Sequence, residues 1–171
     1  ALGYAFAADS TEIGEEIDSL RLRGEDPVDR IGDVDTISIA GGFRNAGSYE
    51  EALERIKDLY ERDPHNRFVQ EVVLESLLGL NRNNEALPLL VASLERNPKQ
   101  AKVRIAHANA LFSLEQSTEA IATLRTGLGE IPCDGSLNAW TEQKLRADGL
   151  LGELHAIREI GLKACPDDAQ L

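Results

Sequence analysis

Four of the six prolines stand at Pro64, Pro98, Pro132 and Pro166, each 34 residues after the one before. Other columns keep the same step. Twelve residues before each proline are Ala52, Ala86, Ala120 and Leu154, and eight before are Ile56, Leu90, Leu124 and Arg158. Four before are Tyr60, Leu94, Leu128 and Leu162, and twenty-one before are Phe43, Leu77, Leu111 and Leu145. A fixed period in the range of 20–50 residues marks a repeat architecture, in which each unit buries its apolar face only by stacking on its neighbours.

One period can be built from its residues. Gly47 can take the left-handed conformation that ends a helix. Ser48 then offers an N-cap, and Glu51 three residues on completes a capping box. Ala52, Ile56, Leu59 and Tyr60 recur at helical spacing and form one apolar stripe. Asp63-Pro64 stops that helix, because a residue before proline avoids the α region. The stretch from about Val34 to Ala46 predicts a further helix closed by Gly47. Each period is therefore two antiparallel helices joined by a tight turn, and the small Ala52, Ala86 and Ala120 suit a close helix crossing. Pro88 falls within the second helix of its period. A helix starting near Asn84 would hold it at the edge of the first turn, where amide protons have no intrahelical partner.

This pattern resembles the tetratricopeptide repeat family, whose 34-residue helix-turn-helix has a small residue early in the second helix and proline at its end. The run GSYEEAL at Gly47–Leu53 is a close match. The resemblance covers residues 33–168 and divides them into repeats 33–66, 67–100, 101–134 and 135–168. It implies an all-α, right-handed alpha-alpha superhelical solenoid. The family's bulky residue early in the first helix is missing, since that column reads Thr36, Gln70, Arg104 and Asn138. The fourth repeat departs most, with Leu154 and Arg158 in the second-helix columns.

Residues 1–32 leave the lattice and read as an acidic N-terminal segment, with one capping helix from Thr11 to Arg23 striped by Ile13, Ile17 and Leu20; residues 169–171 are a short tail. Its acidity reads as a solvated face, or as an arm for a basic partner. The chain contains no Met and reads as a processed or excised piece. Cys133 and Cys165 form no CxxC motif, and two such isolated cysteines are expected to be reduced and structural. Nothing here decides between a cytoplasmic and a periplasmic location.

The formal charge of −12 makes nucleic acid a poor partner, because such a surface repels phosphate. No stretch approaches the apolar length of a membrane span. His65, His107 and His155 lie at different points of the period, with no i, i+4 pair to hold a metal. No nucleophile elbow or phosphate loop is present. Carboxylate pairs such as Glu15-Glu16 and Glu50-Glu51 lie on exposed or capping positions. These observations predict a chain that is not an enzyme and that needs no cofactor or metal.

In tetratricopeptide arrays the first helices line a concave face that receives a partner protein or peptide. Carried over column by column, this implies a binding face of Arg44 and Asn45, then Phe68, Glu71 and Glu75, then Lys102, Ile105, Asn109 and Phe112, then Gln143 and Arg146. Asn109 and Gln143 offer both donor and acceptor to a peptide backbone, and Arg44, Lys102 and Arg146 suit a carboxylate. Phe68 and Phe112 can touch a ligand or pack between repeats, and Trp140 reads as filler of a repeat joint. One subfamily grips the acidic tails of chaperones through a Lys, Asn and Arg clamp. Here Lys102 is kept, but Ile37, Gly41, Val72 and Ala106 stand at the other clamp positions, so chaperone-tail binding is not expected. The function implied is a non-catalytic protein–protein interaction scaffold. Two alternatives stay open. One is a regulatory or targeting domain of a larger, enzymatic protein. The other is a homo-oligomer assembled through Leu151, Leu154, Ile157 and Ile160 of the last helix.

Overall fold

The computed structural model describes residues 27–165, and every regular element among them is an α-helix. The helices are α1 (Pro27–Asn45), α2 (Tyr49–Arg62), α3 (Arg67–Gly79), α4 (Asn83–Arg96), α5 (Ala101–Ser113), α6 (Ser117–Glu130), α7 (Gly135–Ala147) and α8 (Leu151–Ala164). Helices α2, α4, α6 and α8 start at residues 49, 83, 117 and 151, and α3, α5 and α7 at 67, 101 and 135. Both series step by 34. The chain is thus all-α and made of helix-turn-helix repeats. Helix α1 begins at Pro27, earlier than the expected Val34; proline is pre-organised for a first helical position, and its missing amide proton is no loss there. The helix expected from Thr11 to Arg23 lies outside the described residues.

The turns inside the repeats share one geometry. Gly47, Asn81, Glu115 and Gly149, again 34 apart, all have positive φ, between 57° and 80°. The amide of each donates to the carbonyl three residues back: Gly47 to Arg44 at 3.0 Å, Asn81 to Leu78 at 3.1 Å, Glu115 to Phe112 at 3.0 Å and Gly149 to Arg146 at 3.2 Å. The next amide reaches five back, as Ser48 does to Phe43 at 2.9 Å and Gln116 to Leu111 at 2.9 Å. These are Schellman caps, which satisfy the last carbonyls of α1, α3, α5 and α7.

A second recurring bond closes the loops that lead into the next pair. Gln70 Nε2 donates to the Pro64 carbonyl at 2.7 Å, Arg104 Nη2 to that of Pro98 at 2.8 Å, and Asn138 Nδ2 to that of Pro132 at 2.8 Å. The column that departs from the family's bulky residue therefore carries donors, each six residues after a proline. These prolines lie in the loops two residues past the helix ends, where a backbone carbonyl has no helical partner, and here a side chain supplies one.

Two local expectations are corrected. Ser48 does hold the N-cap position of α2, but its hydroxyl makes no cap bond; its ψ of 66° departs from the extended conformation that aims a cap oxygen at the helix. Pro88 lies in the second turn of α4, which starts at Asn83, and leaves the Asn84 carbonyl without its intrahelical donor. Both residues are exposed, and the helix continues through them.

The described residues divide between Val72 and Val73, inside α3, into two compact units. In the first, α1 packs on α2 through fully buried Ala40, Ala52 and Ile56, and Arg62 Nη2 donates to Asp33 Oδ1 at 2.7 Å across the pair. Phe43, whose column partners Leu77, Leu111 and Leu145 are buried, is partly exposed here. In the second unit α4 packs on α5, and α5, α6, α7 and α8 share a core of Ala108, Leu124, Leu128, Leu137, Leu145, Leu154 and Ile157. Trp140 packs against that core, as its reading as joint filler expected. Ala86 and Ala120 have no exposed surface, which fits the close crossing expected of them.

The cysteines differ from expectation. The loop between α6 and α7 brings Cys133 to Cys165 at the end of α8, with a Cα–Cα distance of 5.8 Å, and the two sulfurs are joined in a disulfide.

Candidate functional site

The first unit holds four of the expected binding residues. Arg44 is held by its neighbour, with Nε and Nη2 donating to Asn45 Oδ1 at 3.2 and 3.0 Å, and it lies 3.9 Å from the Glu71 carboxylate. Phe68 is exposed, which removes the core alternative for it, and the Arg67 guanidinium sits 4.9 Å from its ring centroid. A cation over a ring face is attracted by the ring quadrupole, so Arg67 has a partner in this exposed ring.

The second unit holds the other seven. Glu75, Asn109 and Gln143 occupy one column on α3, α5 and α7, 34 residues apart. Asn109 and Gln143 are exposed, with their amide groups at the same point of consecutive first helices. The Ser113 hydroxyl donates to the Asn109 carbonyl at 2.9 Å, which leaves the Asn109 side chain outside that bond. Lys102 Nζ donates to Glu75 Oε1 at 3.0 Å. Ile105 and Phe112 are half-buried against the core. The Lys144 ammonium stands 4.9 Å from the Phe112 ring centroid and 3.0 Å from the Asp148 carboxylate. Phe112 thus has both roles open to it: one side packs, and its face meets a cation.

Arg146 Nη2 donates to Glu142 Oε1 at 2.5 Å, and Arg158 Nη2 of α8 approaches the same oxygen at 2.7 Å. The bonds from Arg158 and then Arg146 hold the Glu142 carboxyl below the usual carboxylate range. The three cations expected to hold a ligand carboxylate therefore all have acceptors within the chain. An incoming carboxylate would have to compete with Glu75, Asn45 or Glu142. Residue types along a sequence show which charges are present but not how they pair.

The histidines do not converge. His65 and His155 are exposed. His107 is half-buried on α5 with its Nδ1 buried and without a hydrogen-bond partner, and burial, then the Arg104 charge, pushes its pKa down. No group of three potential metal ligands occurs among the described residues, and none of the described helices is long and apolar enough to cross a membrane.

One polar cluster was not foreseen. Arg104 is only 5% exposed and donates through Nη2 to the Pro98 carbonyl and to Glu130 Oε2. Its aliphatic stem lies against Gly127 of α6, where a Cβ would sit 2.0 Å from Arg104 Cδ. The glycine and the arginine form one packing unit across α5 and α6. The self-association face also changes. Leu154 and Ile157 belong to the chain's own core and Ile160 is half-buried, so only Leu151 of the four expected residues is exposed.

A family model described as tetratricopeptide repeat matches residues 77–135. No curated protein matches the chain in sequence. Among solved structures, the chain is similar to MamA AMB-1 C2221 with a TM-score of 0.60 at 21% identity, covering 75% of each chain. It is similar to MamA MSR-1 C2 with a TM-score of 0.59 at 22% identity, covering 75% of this chain and 76% of that one. At that identity the likeness speaks for the fold.

Proposed function

We propose that the chain is a non-catalytic protein–protein interaction scaffold of tetratricopeptide repeats at residues 33–66, 67–100, 101–134 and 135–168, a reading supported by the family-model match over residues 77–135. Residues 1–32 are an acidic stretch ahead of the repeats, and residues 169–171 follow them. The ligand is an extended or helical segment of a partner protein, received on the first-helix face of the second unit by Glu75, Lys102, Ile105, Asn109, Phe112, Gln143 and Arg146. Arg44, Asn45, Phe68 and Glu71 offer the first unit's own contacts.

The observation that carries this reading is the placement of Asn109 and Gln143. Both amides are exposed, and they sit at one column of consecutive helices with half-buried Phe112 one turn beyond Asn109. An amide side chain both donates and accepts, so a file of amides can follow a peptide backbone. The paired cations favour orientation over strong attraction. A surface ion pair is worth about 0–1 kcal/mol, which a ligand carboxylate can exchange at little cost.

The test compares the whole chain with Asn109→Ala/Gln143→Ala as baits in a pull-down from the native cell extract. Circular dichroism establishes that both are folded. A protein held by the first bait and lost by the second supports the face. Equal capture by both moves the contact elsewhere on the molecule and ends this assignment.

A further inference from the structure

We propose that the Cys133–Cys165 bond is a thiol-cleavable latch on the end of α8, with Cys133 as the sulfur that thiols attack. The bond is asymmetric in access. Cys133 is exposed, whereas Cys165 is 5% exposed. A thiolate attacks whichever disulfide sulfur it can reach, and the other sulfur leaves.

The two halves are also held differently. The Cys133 loop is pinned on both sides. The Asn138 side chain donates to the Pro132 carbonyl at 2.8 Å, the Asp134 amide to the Ile131 carbonyl at 3.1 Å, and the Leu137 amide to Asp134 Oδ1 at 2.9 Å. That frame does not depend on the disulfide. Helix α8 is anchored at its other end. Among the described residues its ties are the Glu153 pair with Arg125, the core side chains Leu154 and Ile157, and the Arg158 pair with Glu142. Past Arg158 the helix runs on to Ala164, with Ile160 half-buried, and the chain reaches the disulfide one residue later. The disulfide is the covalent tie on its final turn. Cleavage therefore leaves the loop in place and frees the end of α8.

The step balances with a low-molecular-weight thiol as co-reactant. Its thiolate forms a new S–S bond to Cys133 Sγ. Cys165 Sγ departs with the electron pair of the old bond and takes a proton from water. A second thiol attacks the mixed disulfide, frees Cys133 as a thiol and yields the oxidised thiol dimer. Two electrons enter the protein and two thiols are oxidised. A disulfide of this kind persists where thiols are kept oxidised and opens where they are not.

Glutathione and the oxidised full chain provide the test. After a brief exposure and acid quench, peptide mass spectrometry locates the adduct, and hydrogen exchange compares the oxidised chain with the chain under dithiothreitol. The expected result is glutathione on Cys133 and not on Cys165. Exchange at residues 159–165 should rise at least tenfold on reduction, with amides of α5 and α6 unchanged. Cys165→Ser, which leaves the exposed thiol in place, should show the fast exchange without any reductant. An adduct on Cys165 overturns the point of entry. Unchanged exchange at the end of α8 overturns the latch. Failure of oxidised glutathione to join the two sulfurs in the folded chain overturns both.

Discussion

Gly127→Ala tests the packing of Arg104 by a sign reversal. In an exposed helix interior, replacing glycine with alanine stabilises by about 1 kcal/mol, because alanine loses less backbone freedom on folding. Gly127 is buried in α6, and the new Cβ would lie 2.0 Å from Arg104 Cδ and 2.9 Å from its Nε. The guanidinium cannot swing aside without loss, since it bonds the Pro98 carbonyl at 2.8 Å and also Glu130. A hydrogen bond to a charged group contributes roughly 1.5–3 kcal/mol. Glu130 is 36% exposed, so its share is screened. Displacing Arg104 thus costs about 3 kcal/mol, and the helix gain offsets about 1 of that. The net is a destabilisation of roughly 2 kcal/mol, or a Tm lower by about 4–8 °C for a chain of this size. In an Arg104→Ala background the obstacle is gone, and Gly127→Ala should stabilise by about 1 kcal/mol. Urea unfolding of the four proteins of this double-mutant cycle measures the coupling. A Gly127→Ala protein more stable than the parent, or a coupling near zero, would refute the account of Arg104 as locked against α6.

Three further outcomes are expected. Glu115 holds a φ of 61°, where an L side chain costs roughly 1–2 kcal/mol. Glu115→Gly should therefore raise stability by about 0.5–1 kcal/mol after the greater freedom of unfolded glycine is counted, while Glu115→Ala gives no gain; a lower Tm for the glycine variant would contradict the turn geometry. Ala86→Leu and Ala120→Leu each overpack a site with no exposed surface and should lose about 1–3 kcal/mol; unchanged melting of both would contradict the close crossing. His107 is pushed below 6.5 by burial first and by Arg104 second, so the unfolded chain binds its proton more readily than the folded one. Its contribution is fully present above pH 6.5 and is lost as pH falls through the lowered value. The carboxyls of Asp134 and Glu142, lowered from 3.8 and 4.5, lose theirs only further into acid. Stability should thus begin to fall just below pH 6.5, and His107→Gln should flatten that part of the curve in urea titrations; the same slope in both proteins would remove the histidine from the account.

The helix lattice was legible because it is written in residues whose effects are local. Pro64, Pro98 and Pro132 stand just past helix ends, where a proline cannot carry the helix on, and Ala52, Ile56, Ala86, Leu90, Ala120 and Leu124 face inward by period. The turn column was only half legible. Gly47 and Gly149 announce a left-handed residue, but Asn81 and Glu115 take the same conformation because the helices on either side require it. The disulfide was misread, since a separation of 32 residues says nothing about a distance in space until the loop before α7 is laid beside α8. The binding face was legible as residue types and opaque as pairings: the cations of Arg44, Lys102 and Arg146 were visible, their partners Asn45, Glu75 and Glu142 were not. Most instructive is the column Gln70, Arg104 and Asn138. It looked like a departure from the repeat, because the family's bulky residue was absent. Three side chains of different length, each six residues after a proline and each able to donate, are themselves a repeat. Each proline stands in a loop just past a helix end, and its carbonyl, outside any helix, needs a donor from elsewhere. The column could have been found by asking, for each period, where that carbonyl finds its hydrogen bond.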